Sequence, residues 1–271
     1  GYITAAWPRG DWMFDAAVRV DSPEGFDAVA TPKFGATLRV DEHTTLALGA
    51  GQGYRAPSLR ERYYEFASPF GYTVFGSPDL EPETSASYTI DWLRNTADAS
   101  LSLGAFHHDV QNLISFSQTQ AVPQVFTTVN VGRAVSSGLE LGAEQRWRVE
   151  GCRDCGSYFG LGYDGVWLAR SEDTELGKQL ANAPKLDHSL RAFYEMPDLR
   201  TEVLWRSVGS RYLDQENATQ APAYSTLDWT LRRTVGDGTW RLAALNVLDE
   251  KDGRFGPEPG RELRVEYTLS W

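Results

Sequence analysis

Only two cysteines and two methionines occur among the 271 residues. Two cysteines cannot build a disulfide scaffold. No apolar run approaches the roughly 20 residues that a membrane-crossing helix needs, and the mean hydropathy is −0.41, so a helical membrane protein is excluded. Positive charge is also in deficit: 26 Lys and Arg stand against 37 Asp and Glu, a net charge of −11. A nucleic-acid binder would need a basic face to neutralise phosphates, so that partner class is set aside. The chain begins at Gly1 rather than Met, and nothing there resembles a signal peptide. Either a targeting segment was removed or the true beginning lies elsewhere.

Glycine and aromatics are abundant, with 25 Gly, 9 Trp, 12 Tyr and 12 Phe. Their distribution has period two. Leu263, Val265, Tyr267, Leu269 and Trp271 alternate with Glu262, Arg264, Glu266, Thr268 and Ser270. Ala86, Tyr88, Ile90 and Trp92 alternate with Ser85, Ser87, Thr89 and Asp91. Successive strand side chains point to opposite faces, so each such segment has one apolar and one wet face. Roughly thirteen segments follow this rule, most about 8–13 residues long, near the length of a membrane-spanning strand. They are expected near 2–7, 11–20, 32–40, 44–52, 84–94, 99–116, 128–148, 157–169, 185–195, 199–209, 223–233, 239–246 and 262–271. No stretch has a clear helical period.

The connections alternate. Short turns are expected at 8–10, 41–43, 95–98, 150–156, 196–198 and 235–238; long loops at 21–31, 53–83, 117–127, 170–184, 210–222 and 247–261. Short turns on one side and long loops on the other are the pattern of an outer-membrane barrel. A soluble sandwich or propeller explains the alternation equally well. It does not explain Trp and Tyr at strand ends, or Glu, Asp and Arg along nearly every inner face, which a dry core would have to bury.

Several ordered motifs carry a resemblance. Gly51-Gln52-Gly53-Tyr54-Arg55-Ala56-Pro57-Ser58-Leu59 is followed by Gly76-Ser77-Pro78-Asp79-Leu80-Glu81-Pro82-Glu83-Thr84. Then come Phe106-His107-His108-Asp109-Val110-Gln111-Asn112-Leu113, Val129-Asn130-Val131-Gly132-Arg133-Ala134, Gly138-Leu139-Glu140, Asn246-Val247-Leu248-Asp249 and the terminal Trp271. In this order the chain resembles the C-terminal part of the barrel of TonB-dependent outer-membrane receptors. The resemblance implies an all-β fold: an antiparallel transmembrane β-barrel, with about 13 C-terminal strands of a plugged barrel of about 22. The N-terminal plug and early strands would be absent from this chain and supplied by another segment or polypeptide. An odd strand count puts the two chain ends on opposite sides of the membrane, with first and last strands unable to remain open in lipid.

The resemblance further implies a transport receptor in the outer membrane of a Gram-negative bacterium. It would bind a scarce nutrient, such as a ferric siderophore or a cobalamin, and import it with energy from the inner-membrane TonB-ExbB-ExbD complex acting through the plug. Outer-membrane lipid and lipopolysaccharide would surround it. The other reading is a receptor-like half barrel serving as scaffold or pore in a multi-chain assembly. Neither is an enzyme, and neither needs a cofactor.

Candidate ligand residues lie in loop 53–83: Arg55, Arg60, Arg62, Tyr63, Tyr64, Phe70 and Tyr72, with Phe66 beside them. Cations among aromatics suit an anionic, partly aromatic small molecule. The same loop could instead fold over the barrel mouth and contact the plug. A haem receptor of this family would carry a histidine between Arg55 and Pro78, and none is there. Gly51-Gln52-Gly53-Tyr54-Arg55-Ala56 superficially matches a dinucleotide fingerprint, but Pro57 follows and no helix-bearing βαβ unit does. Cys152 and Cys155 could form a redox pair, half a zinc site or a local disulfide. The disulfide is favoured, because there is no second pair and the turn falls on the oxidising, periplasmic side. His43, His107, His108 and His188 show no metal-ligand spacing.

Overall fold

The computed structural model describes residues 1–69, 71–120, 124–149, 156–251 and 260–269. In chain order its elements are β1 (Tyr2–Arg9), β2 (Trp12–Asp21), β3 (Val29–Arg39), β4 (Thr44–Arg55), α1 (Leu59–Tyr63), β5 (Glu65–Ala67), β6 (Tyr72–Phe75) and β7 (Glu83–Asn95). Next come β8 (Ala99–Gln120), β9 (Gln124–Arg148), β10 (Tyr158–Asp173), β11 (Lys178–Gln179), β12 (Leu186–Met196) and β13 (Leu199–Val208). The last are β14 (Arg211–Tyr212), β15 (Gln220–Ala221), β16 (Tyr224–Val235), β17 (Gly238–Leu245) and β18 (Glu262–Leu269).

Thirteen of these strands form one antiparallel path in sequence order, β1-β2-β3-β4-β7-β8-β9-β10-β12-β13-β16-β17-β18. They are the thirteen alternating segments, with shifted ends. Tight turns close one end of the sheet. Gly10 and Gly236, at φ +60 and +57, occupy the first central position of two-residue turns, where a positive φ lets the turn match strand twist.

The register puts every apolar row on one face. Trp7 lies opposite Phe14, Leu48 opposite Ile90, Leu103 opposite Leu141, Leu141 opposite Gly165 and Leu242 opposite Val265. Near the short-turn end this face carries stacked Trp7–Phe14, Trp12–Phe14 and Trp147–Phe159 pairs and a tilted Trp240–Tyr267 pair. A second row, nearer the long loops, contains Tyr88–His107 and the Tyr163–His188–Trp205 cluster. Between them lie Leu, Ile, Val and Ala. Nothing covers this face among the described residues: Leu263 is 77% exposed and Val265 68%. A soluble monomer rarely shows an apolar patch above a few hundred Å². The sandwich alternative fails here, since among the described residues no second sheet beyond the short β14–β15 pair exists to cover it.

The opposite face is ionic. Glu144 accepts from Arg191 at 2.6 Å and Arg146 at 2.8 Å, and Arg200 bridges Glu195 and Glu202. Under these charges Phe193 is 2% exposed, with Arg200, Arg146 and Arg191 within 6 Å of its ring. Gly160 makes room for it, since a Cβ there would stand 2.2 Å from the ring.

Two expectations change. Loop 53–83 is not irregular throughout but contains α1 and the β5–β6 hairpin. Loop 117–127 nearly vanishes, because β8 and β9 run to Gln120 and from Gln124. Both strands project beyond their neighbours, where β6 adds in parallel to β9.

Candidate functional site

The long connection after β4 begins with a helix start written in the sequence. Ser58 and Glu61 form a capping box: the Ser58 hydroxyl accepts from the Glu61 N–H, and the Glu61 carboxylate accepts from the Ser58 N–H at 2.8 Å. Burial pushes the Glu61 carboxyl up. The Ser58 N–H, the Arg55 guanidinium and the Ser58 hydroxyl outweigh it and hold the group below its ordinary value of 4.5. The chain then returns along α1. The Gly76 N–H donates to the Tyr64 carbonyl at 2.6 Å and the Ser77 N–H to the Glu61 carbonyl at 3.0 Å. A Cβ on Gly76 would lie 2.7 Å from the Arg62 and Tyr63 backbone, so only glycine fits.

The exit of the loop is bolted to β8 and β9. Asn130 accepts from the Glu81 N–H and donates to the Glu81 and Asn112 carbonyls, all within 2.9 Å. Asn112 donates to the Glu81 carboxylate at 2.9 Å, and the Ile114 N–H donates to Glu83 at 2.7 Å.

This scaffold sorts the candidate residues into three groups. Arg60, Tyr64 and Tyr72 come together with Phe66, Phe126, Val74 and Thr128 around a cavity of about 800 Å³. Its aromatic wall is continuous: Tyr64 stacks on Phe66 at 5.9 Å, Phe66 meets Tyr72 at 6.3 Å and Tyr72 meets Phe126 edge-on at 6.1 Å. The Arg60 guanidinium lies 4.8 Å from the Tyr64 ring centre, and no carboxylate among the described residues pairs with it. Arg55 stands apart. It is held by Glu83 through two hydrogen bonds of 2.6 and 2.7 Å and by Glu61 at 2.8 Å, so its charge is already matched. Arg62 turns the other way, over Phe26 and Tyr63, and donates to the Pro78 carbonyl. Tyr63 is exposed. Phe70, Cys152 and Cys155 lie outside the described residues.

Sequence reasoning missed Phe126 and Thr128, which lie 54 positions beyond Tyr72 and Val74, and the bolting pair Asn112 and Asn130. The Ser58-to-Glu61 spacing was a readable signal for α1. Among the described residues no cluster of three or more His, Cys, Asp or Glu could hold a metal.

Comparison with known proteins gives this geometry a family. Residues 1–248 match the family described as TonB dependent receptor-like, beta-barrel. The chain is 23% identical over 253 residues to the vitamin B12 transporter BtuB of Photobacterium profundum, covering 93% of this chain and 39% of that protein. It is 28% identical over 118 residues to the iron-regulated outer membrane virulence protein of Vibrio cholerae, covering 42% of this chain and 18% of that protein. Among solved structures, the ferric enterobactin receptor PfeA of Pseudomonas aeruginosa superposes with a TM-score of 0.78 at 17% identity, over 100% of this chain and 45% of the receptor. The siderophore receptor PirA of Acinetobacter baumannii does so with 0.78 at 16%, over 100% and 45%. This chain therefore spans less than half the length of these relatives. The family consists of transporters and receptors, not enzymes. With thirteen antiparallel strands in register and a family match over residues 1–248, the chain belongs to the TonB-dependent receptor family, within its β-barrel.

Proposed function

We propose that this chain is the C-terminal portion of an outer-membrane import receptor, completed by a plug and early strands carried elsewhere. Its ligand binds in the cavity of Arg60, Tyr64, Phe66, Tyr72 and Phe126. That cavity is the observation on which the reading rests. It lies at the long-loop end of the strands, within the volume range of small-molecule sites. Among the described residues it also presents one unmatched cation beside four aromatic rings, a set suited to an anionic ligand with planar apolar parts. Names borne by relatives, a vitamin B12 transporter and siderophore receptors, suggest a ferric siderophore or a cobalamin. Energy would come from the TonB-ExbB-ExbD complex acting on the plug. The exposed apolar face with its two aromatic rows suits a lipid bilayer flanked by its interfaces.

In this arrangement the chain's residues bind and orient; no bond is made or broken. Arg60 supplies the charge, the rings supply contact area at low entropic cost, and the capping box fixes the start of the helix that carries Arg60.

The test is binding and uptake by the full-length receptor, using ferric enterobactin and cyanocobalamin as probes. Uptake of one of them, with affinity at least about tenfold weaker in Arg60→Ala and nearly unchanged in Arg62→Ala, supports the reading. Uptake of neither probe, or equal effects of the two variants, overturns it.

A further inference from the structure

Two of the long connections fold into one piece. β14 pairs with β15, Arg211 opposite Ala221 and Tyr212 opposite Gln220, and Ala221 is fully buried. Asn217 docks this hairpin on the β10–β12 connection. Its side-chain oxygen accepts from the Gln179 N–H and its amide donates to the Gln179 carbonyl, both at 2.8 Å, so one side chain copies the pairing of a strand. The Asn182 N–H donates to the Tyr212 carbonyl at 2.7 Å. Asp214 fixes the tip, where its carboxylate accepts from the N–H groups of Ala218 and Thr219 at 2.8 and 2.7 Å. The two connections thus make a cap of defined shape.

The β8–β9 arm, by contrast, leaves the wall. Pairing with β7 ends at Gln111 opposite Thr84, and pairing with β10 ends at Ala134 opposite Asp173. The arm's own ladder breaks at this level, passing from Gln111 opposite Arg133 to Leu113 opposite Val131. A two-stranded ribbon is marginal by itself, so the break is a joint about which the arm can tilt. Phe126 and Thr128 lie beyond the joint, and both line the candidate cavity. Their place therefore depends on the angle of the arm.

The cap holds the arm on both strands. On β9, just before the joint, the Thr174 N–H and hydroxyl donate to the Arg133 carbonyl at 2.8 and 3.1 Å. On β8, past the joint, the Gln215 amide donates to the Ser115 hydroxyl at 2.6 Å in a part-buried setting. Ser115 is 100 residues from Gln215 in the chain and lies opposite Val129, the neighbour of Thr128.

We propose that Gln215 is a positioning residue for the candidate cavity: through Ser115 it sets the angle of the β8–β9 arm and so holds Phe126 against Tyr72. The proposal rests on the cavity reading put forward above. Coupling of this kind is reciprocal, so a ligand that grips Phe126 also steadies the cap.

The experiment uses the full-length receptor, first without ligand. Hydrogen–deuterium exchange in 113–116 and 124–131 should quicken by about threefold or more in Gln215→Ala and in Ser115→Ala, with β16 and β17 unchanged. Gln220→Ala is the control, since the contact it removes, to the Ser210 hydroxyl at 3.4 Å, stays within the cap. Ferric enterobactin and cyanocobalamin are then titrated. For the probe that binds, Gln215→Ala and Ser115→Ala should each weaken affinity about fivefold, and the double variant no further, because the two side chains act through each other. Adding that probe should slow exchange in 210–222 of the wild type, and much less in Gln215→Ala. Unchanged exchange in the arm of Gln215→Ala overturns the proposal, as does unchanged affinity. So do additive losses in the double variant, or an equal loss in Gln220→Ala. A wild-type receptor that binds neither probe sinks the cavity reading, and exchange in the ligand-free arm then decides alone whether Gln215 holds it.

Discussion

Asn130 and Asn112 meet across β8 and β9, with the Asn130 amide donating to the Asn112 carbonyl at 2.8 Å. Asn112 holds φ at +55, a left-handed value that asparagine tolerates better than most residues. The ladder skips Asn112 and Gly132 at this level, which frees the Asn112 carbonyl and turns its amide toward Glu81. The irregularity thus anchors the end of the loop that carries the candidate ligand cavity. Asn130→Ala removes three hydrogen bonds in a partly wet setting, a loss of about 1–3 kcal/mol of local stability. Segment 76–82 should exchange amide hydrogens faster in this variant, while β16 and β17 exchange as before. Equal exchange in 76–82 would mean that the bolt does not hold the loop.

Gly76 makes a second, purely steric prediction. In Gly76→Ala the added methyl would meet the backbone of Arg62 and Tyr63, which cannot swing aside as a side chain would. Overpacking of this kind costs about 1–3 kcal/mol. The expected result is a receptor that assembles normally but binds its ligand more weakly, because the α1 side of the cavity shifts. Gly71→Ala is the control, for there the methyl meets nothing within 4 Å, although its φ of +88 adds some backbone strain. Equal affinity in wild type and Gly76→Ala would contradict the packing.

Acid should loosen the same wall. The Glu61 carboxyl is held below 4.5 in the folded loop by Ser58 and Arg55. A lowered folded value means that the stabilisation is present above the ordinary glutamate range and is lost as pH falls through the folded value. Between pH 7 and 5 a spin label at Tyr63→Cys should keep constant mobility, then gain mobility at more acid pH. Glu61→Gln should be mobile already at pH 7 and lack that acid step. A step of unchanged size in Glu61→Gln would assign it to another group.

Period-two alternation made the thirteen-strand wall legible in the sequence, because a strand wet on one face and apolar on the other needs no distant information to be recognised. The ends of strands were less legible. Gln118 and Thr119 read as loop, yet β8 carries them, since β9 offers a partner that no local pattern announces. The candidate cavity was half legible. Arg60, Tyr64 and Tyr72 stood out by composition, but Arg55 looked equally available until Glu83, 28 residues away, proved to hold it. Phe126 could not be assigned to the site from sequence, because its place depends on β6 joining β9.

The last prediction concerns the two faces of the wall. Val265 and Thr230 lie at nearly the same height, since Val265 pairs with Leu242 and Thr230 with the adjacent Ala243. Val265 shares the apolar face with Leu263 and Leu231, whereas Thr230 lies opposite Glu202 on the ionic face. If the apolar face meets lipid, an arginine at Val265 near the bilayer midplane costs roughly 2–4 kcal/mol. An arginine at Thr230 enters a wet wall already rich in ion pairs, where the change is worth no more than about 1 kcal/mol. In the full-length receptor, Val265→Arg should therefore sharply reduce the heat-modifiable, assembled fraction, and Thr230→Arg should leave it close to wild type. Equal assembly of both variants would remove the lipid from the Val265 face. Greater damage from Thr230→Arg would turn the wall inside out.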